Sequence, residues 1–163
     1  MKLSIGFIGL GCILDSHLKI VRAMTEYQIV GGCDLDAERR REFEIKTGAR
    51  TYASYHDMLK EPPDVAVINL PHYLHAEATL ACLANKCHVI VEKPMAISVA
   101  ECNRMLQAAK QAGRRLIVAE AASFYPGPDR TGRKFKAGLL GGFLSGFMPC
   151  IRAYFNEHRP CWF

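Results

Sequence analysis

The sequence predicts an α/β fold with a doubly wound parallel sheet, and three observations lead there. Short β-branched apolar runs alternate with longer amphipathic segments along the first two-thirds of the chain. The runs are apolar throughout rather than at every second residue, as in strands buried on both faces. Each is followed by a helix-like segment, and right-handed crossovers wind such βαβ units into a sheet covered on both sides.

Taken in order, Ser4-Ile5-Gly6-Phe7-Ile8 predicts a strand ending at Gly9, and Ile13 to Met24 a helix. Tyr27-Gln28-Ile29-Val30 leads a second strand that stops at Asp34. Asp36 to Thr47 is then helical and closes at Gly48, a helix-stop signal. Asp64 to Ile68 is the third strand and His88 to Val91 the fourth. Between them His75 to Leu83 has helical spacing and ends at Asn85, a residue that tolerates the left-handed conformation. Ser98, with Glu101 three residues on, forms a capping-box pattern. That helix runs to Gly113, before a strand from Arg115 to Ala119.

The texture changes after Ala122. Phe124 to Pro128 reads as a rigid linker, Arg130 to Ala137 as a short helix, and Phe143 to Phe155 as one long apolar strand. The domain expectation is therefore a unit over 1–122, and over 123–163 the linker, helix and first strand of a second α/β domain. A bare apolar strand invites pairing, so self-association through 143–155 is expected.

Composition narrows the class. The 163 residues are 50% hydrophobic and 23% charged, values of a soluble globular domain rather than a disordered or coiled-coil chain. No apolar run reaches the roughly 18 residues of a membrane span, and the N-terminus lacks a secretory pattern. Seven cysteines without a C-x-x-C pair fit neither a disulfide framework nor a zinc site, which favours a reducing, cytoplasmic setting. The net charge of +5 comes from late residues such as Arg130, Arg133 and Lys134. They lack the clustered run and interleaved aromatics of a nucleic-acid surface.

The chemistry starts at Gly9-Leu10-Gly11, between the first strand and first helix. In a dinucleotide-binding turn the first glycine permits the bend and the second admits the pyrophosphate. The helix N-terminus then faces the phosphates. Leu14 stands where a third glycine would be. Asp34, at the end of the second strand and 23 residues after Gly11, is placed to accept from ribose hydroxyls. That favours NAD, with NADP open because Arg39, Arg40 and Arg41 follow. Taken alone, these arginines read as a solvated helix face. Glu92-Lys93-Pro94 closes the fourth strand at the edge where open α/β sheets bind ligands. By itself Glu92-Lys93 reads as a surface ion pair. Beside a nicotinamide, Lys93 would exchange a proton with a substrate hydroxyl as hydride moves.

Gly6-Phe7-Ile8-Gly9-Leu10-Gly11 with His17, Cys33-Asp34, Pro71 to Glu77, and His88-Val89-Ile90-Val91-Glu92-Lys93-Pro94 together resemble the Gfo/Idh/MocA oxidoreductases. Arg159 to Phe163 resembles a family segment of the C-terminal domain. The resemblance implies an N-terminal Rossmann domain binding NAD or NADP, followed by a substrate domain. Gly9, Gly11, Cys12 and Ile13 would cradle the pyrophosphate and Asp34 would hold the adenosine ribose. Leu70, Pro71 and His75 would line the nicotinamide side. Glu92 would orient the ring, with Pro94 completing the cofactor site, and Lys93 would be the catalytic lysine. His17 and His88 would be structural. Leu70 departs from the family's common Thr, and the family's Asp-x-x-x-His element would lie beyond residue 163.

The expected function is hydride transfer between NAD(P) and a secondary hydroxyl of a sugar, inositol or similar polyol, this chain being the cofactor half. A nonenzymatic dinucleotide-binding or interaction module is the alternative.

Overall fold

The computed structural model describes residues 2–120, of which 2–119 belong to one compact unit. Its sheet has six parallel strands in the order β3-β2-β1-β4-β5-β6. In chain order the elements are β1 (Leu3–Ile8), α1 (Leu14–Arg22), β2 (Tyr27–Cys33), α2 (Ala37–Thr47), β3 (Arg50–Tyr52) and α3 (Tyr55–Met58). β4 (Val65–Ile68), α4 (His75–Ala84), β5 (His88–Glu92), α5 (Val99–Ala112) and β6 (Leu116–Ala119) follow. The doubly wound parallel sheet predicted from the sequence is the fold observed.

Period-two alternation divides the core. Ile5 and Phe7 of β1, with Val65 and Val67 of β4, pack against Leu14 and Leu18 of α1 and Phe43 of α2. Ile8, Ala66 and Ile68 turn to the other face, against Ala76 and Cys82 of α4 and Met105 of α5. Phe7 and Phe43 meet edge to face at 6.1 Å, so α2 is fixed on the sheet by an aromatic pair. Leu14 is 4% exposed: the bulk that replaces the third glycine is absorbed into this core layer.

Local capping follows the sequence closely. Asp36 accepts from the Glu38 and Arg39 amides and Ser98 from that of Glu101. α2 and α5 close on left-handed Gly48 and Gly113. Two details differ. Asn85 is not left-handed (φ −89°); Lys86 takes that conformation (φ 63°) one residue later. Glu101 reaches back to the Ile97 amide rather than to that of its cap residue. The short β3 and α3 had no sequence counterpart. β3 has three residues, and pairing with β2 rather than local pattern defines it. His88, expected as structural, accepts from the Arg115 amide at 3.0 Å.

The linker, the helix from Arg130, the strand at 143–155, its self-association and the boundary at 122 fall wholly or partly outside the described residues.

Candidate functional site

β1, β4 and β5 end in step, with Ile8 opposite Ile68 and Ile68 opposite Val91. Their carboxyl ends therefore lie along one edge, beside the switch in strand order between β1 and β4. In a doubly wound sheet this is where a ligand crevice opens.

On one side of the crevice stands the glycine turn. Gly9 has φ +91°, and a Cβ there would lie 2.6 Å from the Asn69 carbonyl oxygen. Only glycine permits both the bend and this approach. The turn is pinned on two sides: Gly9 N–H donates to the Cys33 carbonyl (2.8 Å), and Asn69 N–H to that of Ile8 (2.7 Å). Gly11 is different in kind. The nearest atom to an added Cβ is Arg39 Nη1, 3.8 Å away, so room remains above it. No side chain caps the start of α1 at Ile13, and a phosphate suits such a helix start. Beside it lies a cleft of about 280 Å³ lined by Leu10, Gly11, Cys12, Arg39, Glu42 and Lys46, among others.

Asp34 closes this side, its side chain 12% exposed. Oδ2 accepts the Leu10 amide at 2.8 Å and Oδ1 the Asp36 amide at 2.9 Å. The carboxylate therefore braces the glycine turn and the entry to α2 together. Each oxygen keeps a further lone pair for a ribose hydroxyl. Arg39 and Arg41 are exposed, as a solvated face would have them, and Arg40 is half-buried, but the three differ in partner. Arg39 Nη1 approaches Asp34 Oδ2 (3.7 Å), Arg40 donates to the Asp34 and Leu35 carbonyls (2.8 and 2.9 Å), and Arg41 pairs with Glu38 (2.6 Å).

Across the crevice, Leu70 and Pro71 are half-buried and lead through a 3-10 turn, His72–Leu74, into α4. His75 was expected to line the nicotinamide side. Its ring is fully buried, with Nε2 2.8 Å from the Leu70 carbonyl and Nδ1 2.8 Å from that of Pro94. Any influence on a ligand passes through the two loops it holds.

Glu92 and Lys93 form no side-chain ion pair among the described residues, contrary to the reading of that dipeptide alone. Glu92 Oε1 lies 3.1 Å from His17 Nε2, and Oε2 accepts the Lys93 amide at 3.2 Å. The His17 hydrogen bond, against the opposing effect of burial, holds the Glu92 carboxyl below the usual carboxylate range. Lys93 is exposed at the crevice edge, and its bond to Pro94 is cis. His17 thus belongs to the site's framework rather than to its helix alone. Its signal was its place in the glycine-turn motif, whereas the contact with Glu92 spans 75 residues.

A glycine bend, an open approach at Gly11, an uncapped helix start and an acid at the next strand fit a dinucleotide. Residues 3–120 match the family model described as "Oxidoreductase family, NAD-binding Rossmann fold", Gfo/Idh/MocA. The chain belongs to the Gfo/Idh/MocA family. Its cofactor class is accordingly NAD(P).

Relatives in this family include inositol 2-dehydrogenase of Salmonella paratyphi B, 30% identical over 121 residues, 72% of this chain and 36% of that protein. Trans-1,2-dihydrobenzene-1,2-diol dehydrogenase of Bos taurus is 30% identical over 162 residues, 97% of this chain and 47% of that protein. Among solved structures, WlbA dehydrogenase of Bordetella pertussis, in complex with NADH and UDP-GlcNAcA, superposes with a TM-score of 0.80 at 29% identity. The match covers 86% of this chain and 41% of that one. The chain thus spans less than half the length of each of these Gfo/Idh/MocA proteins.

Proposed function

We propose that this chain is the cofactor-binding half of an oxidoreductase that moves hydride between NAD(P) and a secondary hydroxyl of a sugar, inositol or similar polyol. The observation that carries the reading is the shared edge. The braced glycine turn follows β1, and Lys93 follows β5, two positions beyond the Val91–Ile68–Ile8 register.

A bound nicotinamide would supply the hydride acceptor or donor. The chain's own residues do the rest. Gly9, Gly11, Cys12 and Ile13 seat the pyrophosphate through backbone amides and the helix start. Asp34 accepts from the adenosine ribose. Leu70, Pro71 and Pro94 bound the nicotinamide end, held from beneath by His75. Glu92 fixes the Lys93 backbone, and Lys93 Nζ exchanges the hydroxyl proton as the carbon gains or loses hydride. Inositol 2-dehydrogenase and the dihydrodiol dehydrogenase are named for ring hydroxyl substrates, which supports the polyol class.

The test is a fluorescence titration of the full chain with NADH, followed by NAD reduction assayed across a polyol panel. Saturable binding is expected, and turnover should fall about 100-fold or more in Lys93→Ala, the usual scale of a lost acid–base group. Absence of saturation up to millimolar NADH would sink the proposal. Binding without turnover, indifferent to Lys93→Ala, would favour a nonenzymatic binding module.

A further inference from the structure

Glu92 and Lys93 are neighbours in the chain and opposite in charge, and among the described residues no salt bridge joins them. The carboxylate is engaged elsewhere. Oε1 meets His17 Nε2 at 3.1 Å, and Oε2 accepts the backbone amide of Lys93 at 3.2 Å. An ionised carboxylate only accepts, so Nε2 bears the hydrogen in the first contact. Of the groups that hold the Glu92 carboxyl below its ordinary value, the hydrogen-bonded His17 acts most and the charge of Lys93 least.

The competition is decided by shelter. The His17 side chain is 19% exposed and that of Glu92 18%, whereas Lys93 is exposed. The imidazole is also held in place. Its ring centroid lies 6.5 Å from that of fully buried Phe7, and its backbone N–H donates to the Ile13 carbonyl at the start of α1. A sheltered hydrogen bond from a fixed donor to a charged acceptor outweighs an exposed ion pair, which must also immobilise a long side chain.

We propose that His17 is a positioning residue that keeps the Glu92 carboxylate away from the Lys93 ammonium, so that this amine stays unpaired for proton exchange with substrate. The part in catalysis rests on the hydride-transfer reading above; the diversion of the carboxylate does not. Without His17, Oε1 loses its donor and is free to turn to the neighbouring ammonium. A paired ammonium releases its proton less readily, which makes the amine a poorer base and a poorer nucleophile.

The test reads the amine directly. The full chain is treated with limiting acetic anhydride at pH 8, and acetylation of Lys93 is followed by peptide mass spectrometry, with exposed Lys110 as internal reference. Lys93 in His17→Ala should react about threefold or more slowly than in wild type, the scale of a gained surface ion pair. His17→Gln keeps a donor and should recover part of the loss. His17→Ala combined with Glu92→Gln should return to the wild-type rate, because no carboxylate remains to pair. A merely structural defect would not be repaired by that second substitution. Circular dichroism reports whether each variant folds. Should His17→Ala not fold, His17→Phe with and without Glu92→Gln carries the same comparison. An unchanged rate in the folded single variant, or slowing that persists in the double variant, overturns the proposal. Slowed and rescued labelling in a protein that binds no NADH establishes the hold of His17 on Glu92 and overturns its place in hydride transfer.

Discussion

His17 Nε2 stands 3.1 Å from Glu92 Oε1, so the helix that begins at the glycine turn is tied directly to the strand end that carries Lys93. The second oxygen of the same carboxylate accepts the Lys93 amide. One side chain therefore links the seat proposed for the pyrophosphate to the residue proposed to move the proton. The two are far apart in the chain and adjacent at the sheet edge.

This bond has a pH signature. The Glu92 carboxyl is held below its ordinary value by His17, burial opposing and the Lys93 amide assisting. A carboxyl whose folded pKa is depressed contributes stability that is complete above its unfolded value, about 4.3. The contribution is lost as pH falls through the folded value. Urea midpoints of wild type and Glu92→Gln, followed from pH 7 to pH 3, should thus differ most at neutral pH and converge below about pH 4. A gap that is constant down to pH 3 would refute the coupling.

The two glycines of the turn should behave differently under the same substitution. Gly9→Ala places a Cβ 2.6 Å from a backbone oxygen at a positive φ, so the chain itself must shift. A loss of about 1–3 kcal/mol or more is expected from urea unfolding. Gly11→Ala meets only Arg39 Nη1 at 3.8 Å and should unfold like wild type. Its Cβ would occupy the approach proposed for the pyrophosphate, so NADH affinity should fall by about tenfold or more. A Gly11→Ala protein that binds NADH normally would contradict the placement of the phosphates.

The fold was legible because its signals are local. Apolar runs such as Val65–Ile68, the Asp36 and Ser98 caps and the Gly48 and Gly113 stops each act within a few residues. β3 was not legible, since Arg50-Thr51-Tyr52 is a strand only by pairing with Gly31–Cys33. The same division runs through the site. Gly9, Gly11, Asp34 and Lys93, the residues proposed to carry the chemistry, are announced by their own neighbours. The partition of Arg39, Arg40 and Arg41 among three kinds of partner depends on where the Asp34 carboxylate points. The reach of His17 to Glu92 depends on two elements meeting across the sheet edge. Neither has a counterpart in spacing or periodicity.

Thiol reactivity offers an independent check of packing. Burial pushes the Cys33 thiol up to about 12 and that of Cys87 to about 11, and it raises Cys82 as well. All three are buried, whereas Cys102 is partly exposed. Iodoacetamide labelling at pH 8, mapped by peptide mass spectrometry, should mark Cys102 in the native protein and reach Cys33, Cys82 and Cys87 only after denaturation. Rapid native labelling of Cys82 would show that α4 does not pack on the sheet as described.

His75 straps together two loops of the candidate site. Its two ring nitrogens contact the Leu70 and Pro94 carbonyls at 2.8 Å each, within a ring that has no exposure to solvent. His75→Leu preserves bulk but removes the ring N–H, so the loop carbonyl that accepts it loses its donor, at about 1–3 kcal/mol. His75→Gln retains a donor and should recover part of the loss. Thermal unfolding should therefore rank wild type above His75→Gln and His75→Gln above His75→Leu. NADH affinity should decline in the same order, because the loops at Leu70 and Pro94 bound the proposed nicotinamide end. If His75→Leu matched wild type in stability, the ring N–H would add nothing to the fold, and the ring would not be the strap that joins these loops.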